Sequence, residues 1–160
     1  MANEIARPDG FKDKYETYAG MLYKIGVLYL GCREDAEDVL HEAFIRLMTR
    51  APAFDSAEYE KAWLIRVTVN LCKNTLSGFW RRKITLSDGV ARDVESEESR
   101  ELLKSVLALP VKLKAPVHLY YYEGYGVADI AGILNISESA VKMRLKRGRE
   151  LLKWELSNDE

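Results

Sequence analysis

The chain of 160 residues has few of the side chains on which metal sites, disulfide frameworks and catalytic centres depend. It contains two cysteines and two histidines. Cys32 and Cys72 lie far apart with no further ligand at metal-binding spacing, so we expect ordinary apolar side chains rather than a zinc site or a disulfide. His41 and His118 are equally isolated, and no chemical role is expected of either. The sequence therefore predicts no cofactor and no metal, and a protein that is not an enzyme.

Long apolar runs and a strong charge of one sign are also missing. No run approaches the length of a membrane span, and residues 1–14 have no apolar core of the signal-peptide kind, so we expect a cytoplasmic location. The formal net charge is −1 and says little about partners. The charge is nevertheless uneven, because residues 86–101 contain six acidic and two basic side chains.

A series of helical patterns accounts for most of the chain. Apolar residues recur at threes and fours in residues 11–30 and 34–50, and again from residue 57. The second of these segments begins with acids, which suit the positive end of a helix dipole and form an acidic outer face. Pro52 interrupts the pattern, and the loop around it is expected to expose Phe54 at its tip.

The second half of the chain begins after an acidic stretch without periodicity. Helical patterns return at residue 99, and a second pattern follows Leu109. Pro116 lies inside this second pattern and either kinks its helix or defines the start of that helix. We therefore predict an all-α protein with two small helical domains, at residues 10–84 and 99–156, joined by an acidic flexible linker at residues 85–98.

The segment from Val127 to Trp154 has the pattern of a helix-turn-helix. A short helix with one apolar stripe breaks at residues 135–137, and Ser137 is a suitable N-cap for the helix that follows. One face of this second helix is apolar and the rest is basic. Such a helix can enter a major groove, with phosphates bound by its cations and base edges within reach of its side chains. The structural alternative is a solvated basic face.

Three segments, in order, resemble the extracytoplasmic-function (ECF) subfamily of bacterial sigma factors. DAEDVLHEAF at residues 35–44 resembles the core-polymerase-binding segment of sigma region 2, and AWLIRVTVN at residues 62–70 resembles the −10 recognition helix. ALP at residues 108–110, followed by the stretch YYYEGYGVADIAGILNISESAVKMRLKRGRELL, resembles region 4, which binds the −35 element. The resemblance covers nearly the whole chain and implies a promoter-specificity subunit of RNA polymerase.

The resemblance also implies three sets of site residues. Contact with core polymerase would fall to Asp35, Glu37, Asp38, Val39, Glu42 and Phe44. The −10 element would be bound by Phe54, Asp55, Ser56, Lys61, Asn70, Lys73, Asn74, Trp80, Arg81 and Arg82. The −35 element would be bound by Ser139, Lys142, Met143, Arg144, Lys146 and Arg147. The implied partners are core polymerase, promoter DNA and a dedicated anti-sigma factor, which in this family is often membrane-bound.

The chain departs from the family pattern at three places. His41 stands where a Gln is usual, and Gly126 stands where a Ser or Thr helix cap is usual. Asn74 and Thr75 replace an Asp-containing pair in the −10 helix, so the base preference of that helix does not carry over.

Three other functions are compatible with parts of the sequence. A free-standing helix-turn-helix regulator would explain the C-terminal segment and would bind duplex DNA as a dimer. A metal-dependent nuclease would have to use Glu34, Asp35, Glu37 and Asp38, which form one helical turn without convergent partners. A degenerate sigma-like protein would bind polymerase without starting transcription.

Overall fold

The chain folds into helices throughout the part that the structure describes. A computed structural model describes residues 10–78, 101 and 104–158, and these residues contain no strand. The predicted all-α class is confirmed. In chain order the helices are α1 Phe11–Leu30, α2 Arg33–Thr49, α3 Ala57–Gly78, α4 Val111–Tyr121, α5 Val127–Leu134 and α6 Glu138–Asn158. Residues 104–107 form a further short helical segment. The predicted linker at residues 85–98 lies outside the described residues.

Helices α1, α2 and α3 pack against one another and form the N-terminal half. Gly31 ends α1 with φ 68°, a left-handed conformation that glycine adopts readily, and its N–H donates to the Val27 carbonyl at 2.7 Å. Gly26 allows α1 and α2 to approach closely, because a Cβ there would lie 3.0 Å from the Ala36 backbone. The buried Glu60 of α3 accepts from Lys14 Nζ of α1 at 2.6 Å, which ties those two helices together.

Helix α4 is the centre of the C-terminal half. Residues 113–119 of α4 are all buried, and α5 and α6 both pack against the helix. Pro110 is the N-cap, so the helix begins at Val111 and Pro116 lies in its interior. Helix α6 approaches α4 closely at Gly148, where a Cβ would lie only 2.6 Å from Val117 Cγ2. A side chain at position 148 would therefore push α6 away from its support.

The two halves share one continuous apolar core. It extends from Tyr18 in α1 through Leu64 in α3 and Val117 in α4 to Leu145 in α6. Contacts between the halves join α1 to α4 and α3 to α5. The predicted pair of helical units is therefore packed face to face along the described residues, a relationship that no local sequence pattern indicates.

Three titratable side chains from three helices are buried at this junction. Burial raises the pKa of the Cys72 thiol in α3 to about 12 and lowers the pKa of Lys114 in α4 to about 8. Burial also raises the pKa of Tyr29 in α1, and its proximity to Cys72 adds to that shift. Cys72 is fully buried, as expected of an apolar side chain, and its thiol is uncharged at neutral pH.

None of the described helices combines the length and the apolar character that a membrane span needs.

His118 is a further buried titratable group, one helical turn after Lys114 in α4. Its ring is stacked on Tyr122, with centroids 5.5 Å apart, and Nε2 lies 3.4 Å from Glu123 Oε1 without forming a hydrogen bond. Burial lowers the pKa of His118 to about 4, because the loss of hydration and the nearby Lys24 outweigh the opposing effect of Glu123. The imidazole is therefore neutral in the folded protein at pH 7.

We expect this histidine to make the protein less stable as the pH falls below about 6.5. The folded pKa is about 4, whereas an unfolded histidine titrates near 6.5, so between these values only the unfolded state takes up the proton. The part of the unfolding free energy that depends on a neutral His118 is present above about pH 6.5. It is lost progressively toward pH 4, by up to about 3 kcal/mol. Between pH 7 and pH 5, the free energy of unfolding measured in urea should fall less for His118→Gln than for the native chain. Exposed His41→Gln is the control, and an equal loss in all three proteins would contradict the assignment.

Candidate nucleic-acid interface

Helices α5 and α6 form the predicted helix-turn-helix. Asn135 ends α5 in a left-handed conformation, with φ 56° and ψ 49°, and its N–H donates to the Ala131 carbonyl. Ser137 caps α6 as predicted, because its Oγ accepts from the Ala140 N–H at 3.1 Å. Gly126 precedes α5 without a side-chain cap. The turn between the helices is therefore defined by local hydrogen bonds that the sequence encodes.

The two faces of α6 divide as the periodicity predicted. Val141 and Leu145 are buried against the rest of the C-terminal half. Lys142, Lys146 and Arg147 are exposed, together with Ser139. The α6 outer face thus carries three cations at its exposed surface, and electrostatic attraction to phosphate needs no rearrangement of this helix.

Two of the remaining candidates on α6 differ in their surroundings. Met143 is 71% exposed, which leaves an apolar side chain available for contact with a base or a thymine methyl group. Arg144 is half-buried and faces the N-terminal half, where its charge influences Tyr29 and Lys73. In this conformation Arg144 belongs to the junction between the halves as much as to the outer face.

The loop before α3 places its aromatic differently from the prediction. Phe54 is half-buried rather than exposed at the loop tip, because its ring packs edge-on against Trp63 with centroids 5.7 Å apart. Asp55 and Ser56 are exposed. Ser56 also caps α3, since its Oγ accepts from the Tyr59 N–H at 3.3 Å. The loop is thus tied to the first turns of α3.

The surface of α3 carries most of the other candidates for the −10 element. Asn70, Lys73 and Asn74 are exposed along one side of the helix. Partial burial, reinforced by the positive charges of Arg144 and Lys112, lowers the pKa of Lys73. Trp80, Arg81 and Arg82 lie outside the described residues.

Lys61 is the candidate on α3 that already has partners. Its Nζ lies 4.0 Å from Glu123 Oε2 and 5.2 Å from the centroid of the Tyr125 ring. Both partners belong to the loop between α4 and α5. Burial and the nearby carboxylates, Glu123 first among them, raise the pKa of Tyr125 to about 12.

The acidic helix α2 presents only part of the predicted polymerase-binding set. Glu37 and Asp38 are exposed, and Asp35 and Glu42 are half-buried. Glu42 Oε1 accepts from Arg46 at 3.2 Å, an i, i+4 pair within the helix. Val39 and Phe44 lie in the core, where they are 5% and 3% exposed. The centroid of the Phe44 ring is 5.0 Å from that of the Tyr15 ring. These two side chains support α2 from inside, and the acids form its outer surface.

Two side chains near the candidate −10 surface were missed by the sequence analysis. Arg66 of α3 donates to backbone carbonyls of α5, and Tyr59 is 65% exposed beside the loop. Arg66 precedes Asn70 by four residues and Lys73 by seven, so helical spacing alone places all three on one face. That spacing was the available signal. Within the described residues no group of His, Cys, Asp and Glu is arranged to hold a metal ion.

Comparisons with known proteins agree with this arrangement. The family model for Sigma-70 region 2 matches residues 15–82, and that for Sigma-70 region 4 matches residues 99–152. The chain is 29% identical over 167 residues to the ECF RNA polymerase sigma factor SigW of Bacillus subtilis, covering 92% of this chain and 89% of SigW. It is 30% identical over 139 residues to the ECF sigma-E factor of Escherichia coli K12, covering 74% of this chain and 72% of that protein.

Two solved structures with a similar fold superimpose on almost the whole chain. The sigma factor RpoE of Bartonella quintana, in complex with the anti-sigma factor NepR, superimposes with a TM-score of 0.75 at 18% identity, covering 96% of this chain and 100% of that one. CnrH, in complex with the cytosolic domain of CnrY, superimposes with a TM-score of 0.73 at 21% identity. The match covers 99% of this chain and 96% of CnrH. At these identities the likeness shows the fold.

The fold and the two matched segments define a bacterial RNA polymerase sigma factor of the Sigma-70 class. Within that class, the chain belongs to the ECF family. It therefore binds core polymerase and directs promoter recognition and transcription initiation, and the free-standing regulator is the less favoured alternative.

Proposed function

We propose that the outer face of α6 reads the −35 element and that the face of α3 together with the loop at residues 51–56 binds the melted −10 element. The observation that carries the first assignment is the exposure of Lys142, Lys146 and Arg147 on a helix whose opposite face is buried. Cations on such a face contact phosphates and orient the helix, while Ser139 and Met143 meet base edges.

The assignment of α3 is supported by aromatic and polar side chains that lie close together. Phe54 and Trp63 pack edge-on, and Tyr59 is exposed on the same end of the helix. Aromatic rings stack on unpaired bases whatever their identity, and nearby cations bind the backbone of the strand. Taking a base out of the stack costs a few kcal/mol, which these contacts offset.

We further propose that the exposed acids of α2 contact the polymerase. Glu37 and Asp38 are exposed on a helix that the core holds from its other face through Val39 and Phe44. A rigid acidic face of this kind fits a basic surface, and charge complementarity of this type sets orientation and association rate. The buried Val39 and Phe44 therefore fix the orientation of α2 and of the acids on its outer surface.

An anti-sigma factor is proposed as a further partner. RpoE, which shares this fold, was solved with the anti-sigma factor NepR bound. CnrH, which also shares it, was solved with the cytosolic domain of CnrY bound. As a polymerase subunit the chain would act in the cytoplasm, and it would take no part in catalysis itself.

Transcription with purified bacterial core polymerase tests the proposed function directly. Fragmented DNA from the source organism is transcribed with and without the protein, and transcript starts are mapped. We expect new discrete starts that share upstream sequence. Co-elution with core polymerase without new starts would point to a degenerate sigma-like protein, and the absence of co-elution would favour the free-standing regulator.

The α6 assignment predicts a specific change in salt dependence. In the holoenzyme, Lys142→Ala with Arg147→Ala should weaken binding to the −35 element about tenfold or more. It should also reduce the slope of log affinity against log salt by about 2, because each lost phosphate contact contributes about 0.9. Lys12→Ala with Arg50→Ala removes the same charge from exposed positions outside both surfaces and is the control. Equal slopes for the two double variants would refute the assignment.

The α2 assignment predicts a change in polymerase affinity alone. Asp38→Ala should weaken binding to core polymerase roughly two- to fivefold, the range for one exposed charge pair. Once saturated with core polymerase, the variant should select the same promoters. Exposed Asp13→Ala on α1 is the matched control. An Asp38→Ala protein that titrates core polymerase as the native chain does would exclude this contact.

A further inference from the structure

A cavity of about 830 Å³ lies between α3, with the loop before it, and the segment that leads into α5. This volume is within the range of small-molecule sites in proteins, which combine apolar walls with a few polar groups. Phe54, Tyr59 and Trp63 line the cavity on one side, and Tyr125 lines it on the other. Aromatic rings therefore form part of both walls.

The charged side chains of the wall leave an excess of negative charge. Four of them are carboxylates and two are cations, which gives a formal charge of −2. The carboxylates are those of Asp55, Glu58, Glu123 and Asp129, and the cations are Lys61 and Arg66. Within the described residues, Glu123 is the one carboxylate of this set that forms an ion pair. The other three line the cavity without a counter-charge.

A side chain of the protein itself shows how this wall binds an ammonium group. Lys61 Nζ lies over the Tyr125 ring, 5.2 Å from its centroid, and 4.0 Å from Glu123 Oε2. An ammonium group in such a place is stabilised by the negative face of the ring and by the charge of the carboxylate. Tyr59 and Glu58 offer the same two kinds of group to the cavity, and both are exposed.

The negative charge is spread along the wall rather than gathered at one point. Glu58 lies in the first turn of α3, Glu123 in the loop after α4, and Asp129 in the first turn of α5. Burial, reinforced by these three carboxylates, raises the pKa of Tyr125 to about 12, so all three act on one hydroxyl. In the part of the chain that the structure describes, however, no group of His, Cys, Asp and Glu is arranged to hold a metal ion. The wall therefore suits an extended cation better than a compact one.

We propose that this cavity binds an aliphatic diamine, whose two ammonium groups balance the excess negative charge of the wall. Primary amines of this kind are protonated at neutral pH, as lysine is. The methylene chain between the two charges lies against the rings and against Ala53, Ala62 and Ala128 of the wall, as the stems of lysine side chains do on apolar surfaces. A monoamine leaves one negative charge unbalanced, and a divalent metal ion makes no use of the rings.

Isothermal titration calorimetry of the full chain with 1,4-diaminobutane at pH 7.5 tests the site. We expect saturable binding of one molecule per chain, about fivefold tighter than that of n-butylamine, because the second ammonium group gains one further partly exposed ion pair. Mg²⁺ at the same concentrations should bind more weakly than the diamine. Binding of n-butylamine or Mg²⁺ as tight as that of the diamine, or no saturable binding at millimolar concentrations, would overturn the proposal.

Variants of the exposed carboxylates locate the bound diamine. Glu58→Gln with Asp129→Asn removes two charges from the wall and should weaken the binding of 1,4-diaminobutane roughly tenfold, because two ion pairs are lost. Glu16→Gln with Asp13→Asn makes the same chemical changes at exposed positions on α1 and should leave the affinity unchanged. Equal affinities of the two double variants would place the diamine elsewhere and overturn the proposal.

The aromatic wall is tested at Tyr59, which is 65% exposed and can be replaced without disturbing the core. Tyr59→Leu should weaken the binding of 1,4-diaminobutane about two- to fivefold, the range for a cation over an exposed ring. Tyr59→Phe keeps the ring and should bind as the native chain does. Native affinity in Tyr59→Leu would contradict the contribution of the ring. The titrations contain neither DNA nor polymerase, so their outcome is independent of the proposed function.

Discussion

The packing of α4 is the constraint on which the rest of the molecule depends. Residues 113–119 are buried on every side of the helix, so α4 has no solvent face along that stretch. Helix α6 packs against it without a gap at Gly148, and α1 packs against it from the N-terminal half. A helix that is buried all round cannot shift without exposing apolar surface. The position of α6 relative to α1 is therefore set through α4.

This central position explains why α4 contains buried polar side chains. Lys114 is 1% exposed and His118 is 3% exposed, and each lies at a surface where α4 meets another part of the protein. Lys114 adjoins Cys72 of α3, and His118 adjoins Glu123 of the following loop. Partly satisfied groups of this kind weaken the junction relative to an apolar one.

Local features of the fold could be predicted from the sequence because local physics determines them. The Ser137 cap of α6 was expected from residue type and position. The exposure of Lys142 and the burial of Val141 followed from the helical period. Each of these features depends on residues within one or two turns, and sequence spacing reports on that range.

Features that depend on distant residues could not be predicted in this way. Phe54 was expected at an exposed loop tip, but Trp63 covers it from the next helix. Val39 and Phe44 match a family motif, and the motif does not distinguish a side chain that contacts the partner from one that supports the helix. Arg66 and the Ile133 carbonyl are 67 residues apart, and no local pattern links them. Two helical units were predicted correctly as a fold class, while the core that joins them was not.

The junction between the halves combines opposing interactions of similar kind. Arg66 and Lys61 attract the C-terminal half, and Lys73 faces the cations Arg144 and Lys112. The described conformation thus pairs two of these cations with groups of the other half and leaves Lys73 near two like charges. The described packing is therefore maintained by the shared apolar core together with the Arg66 and Lys61 contacts, against the mutual repulsion of three cations.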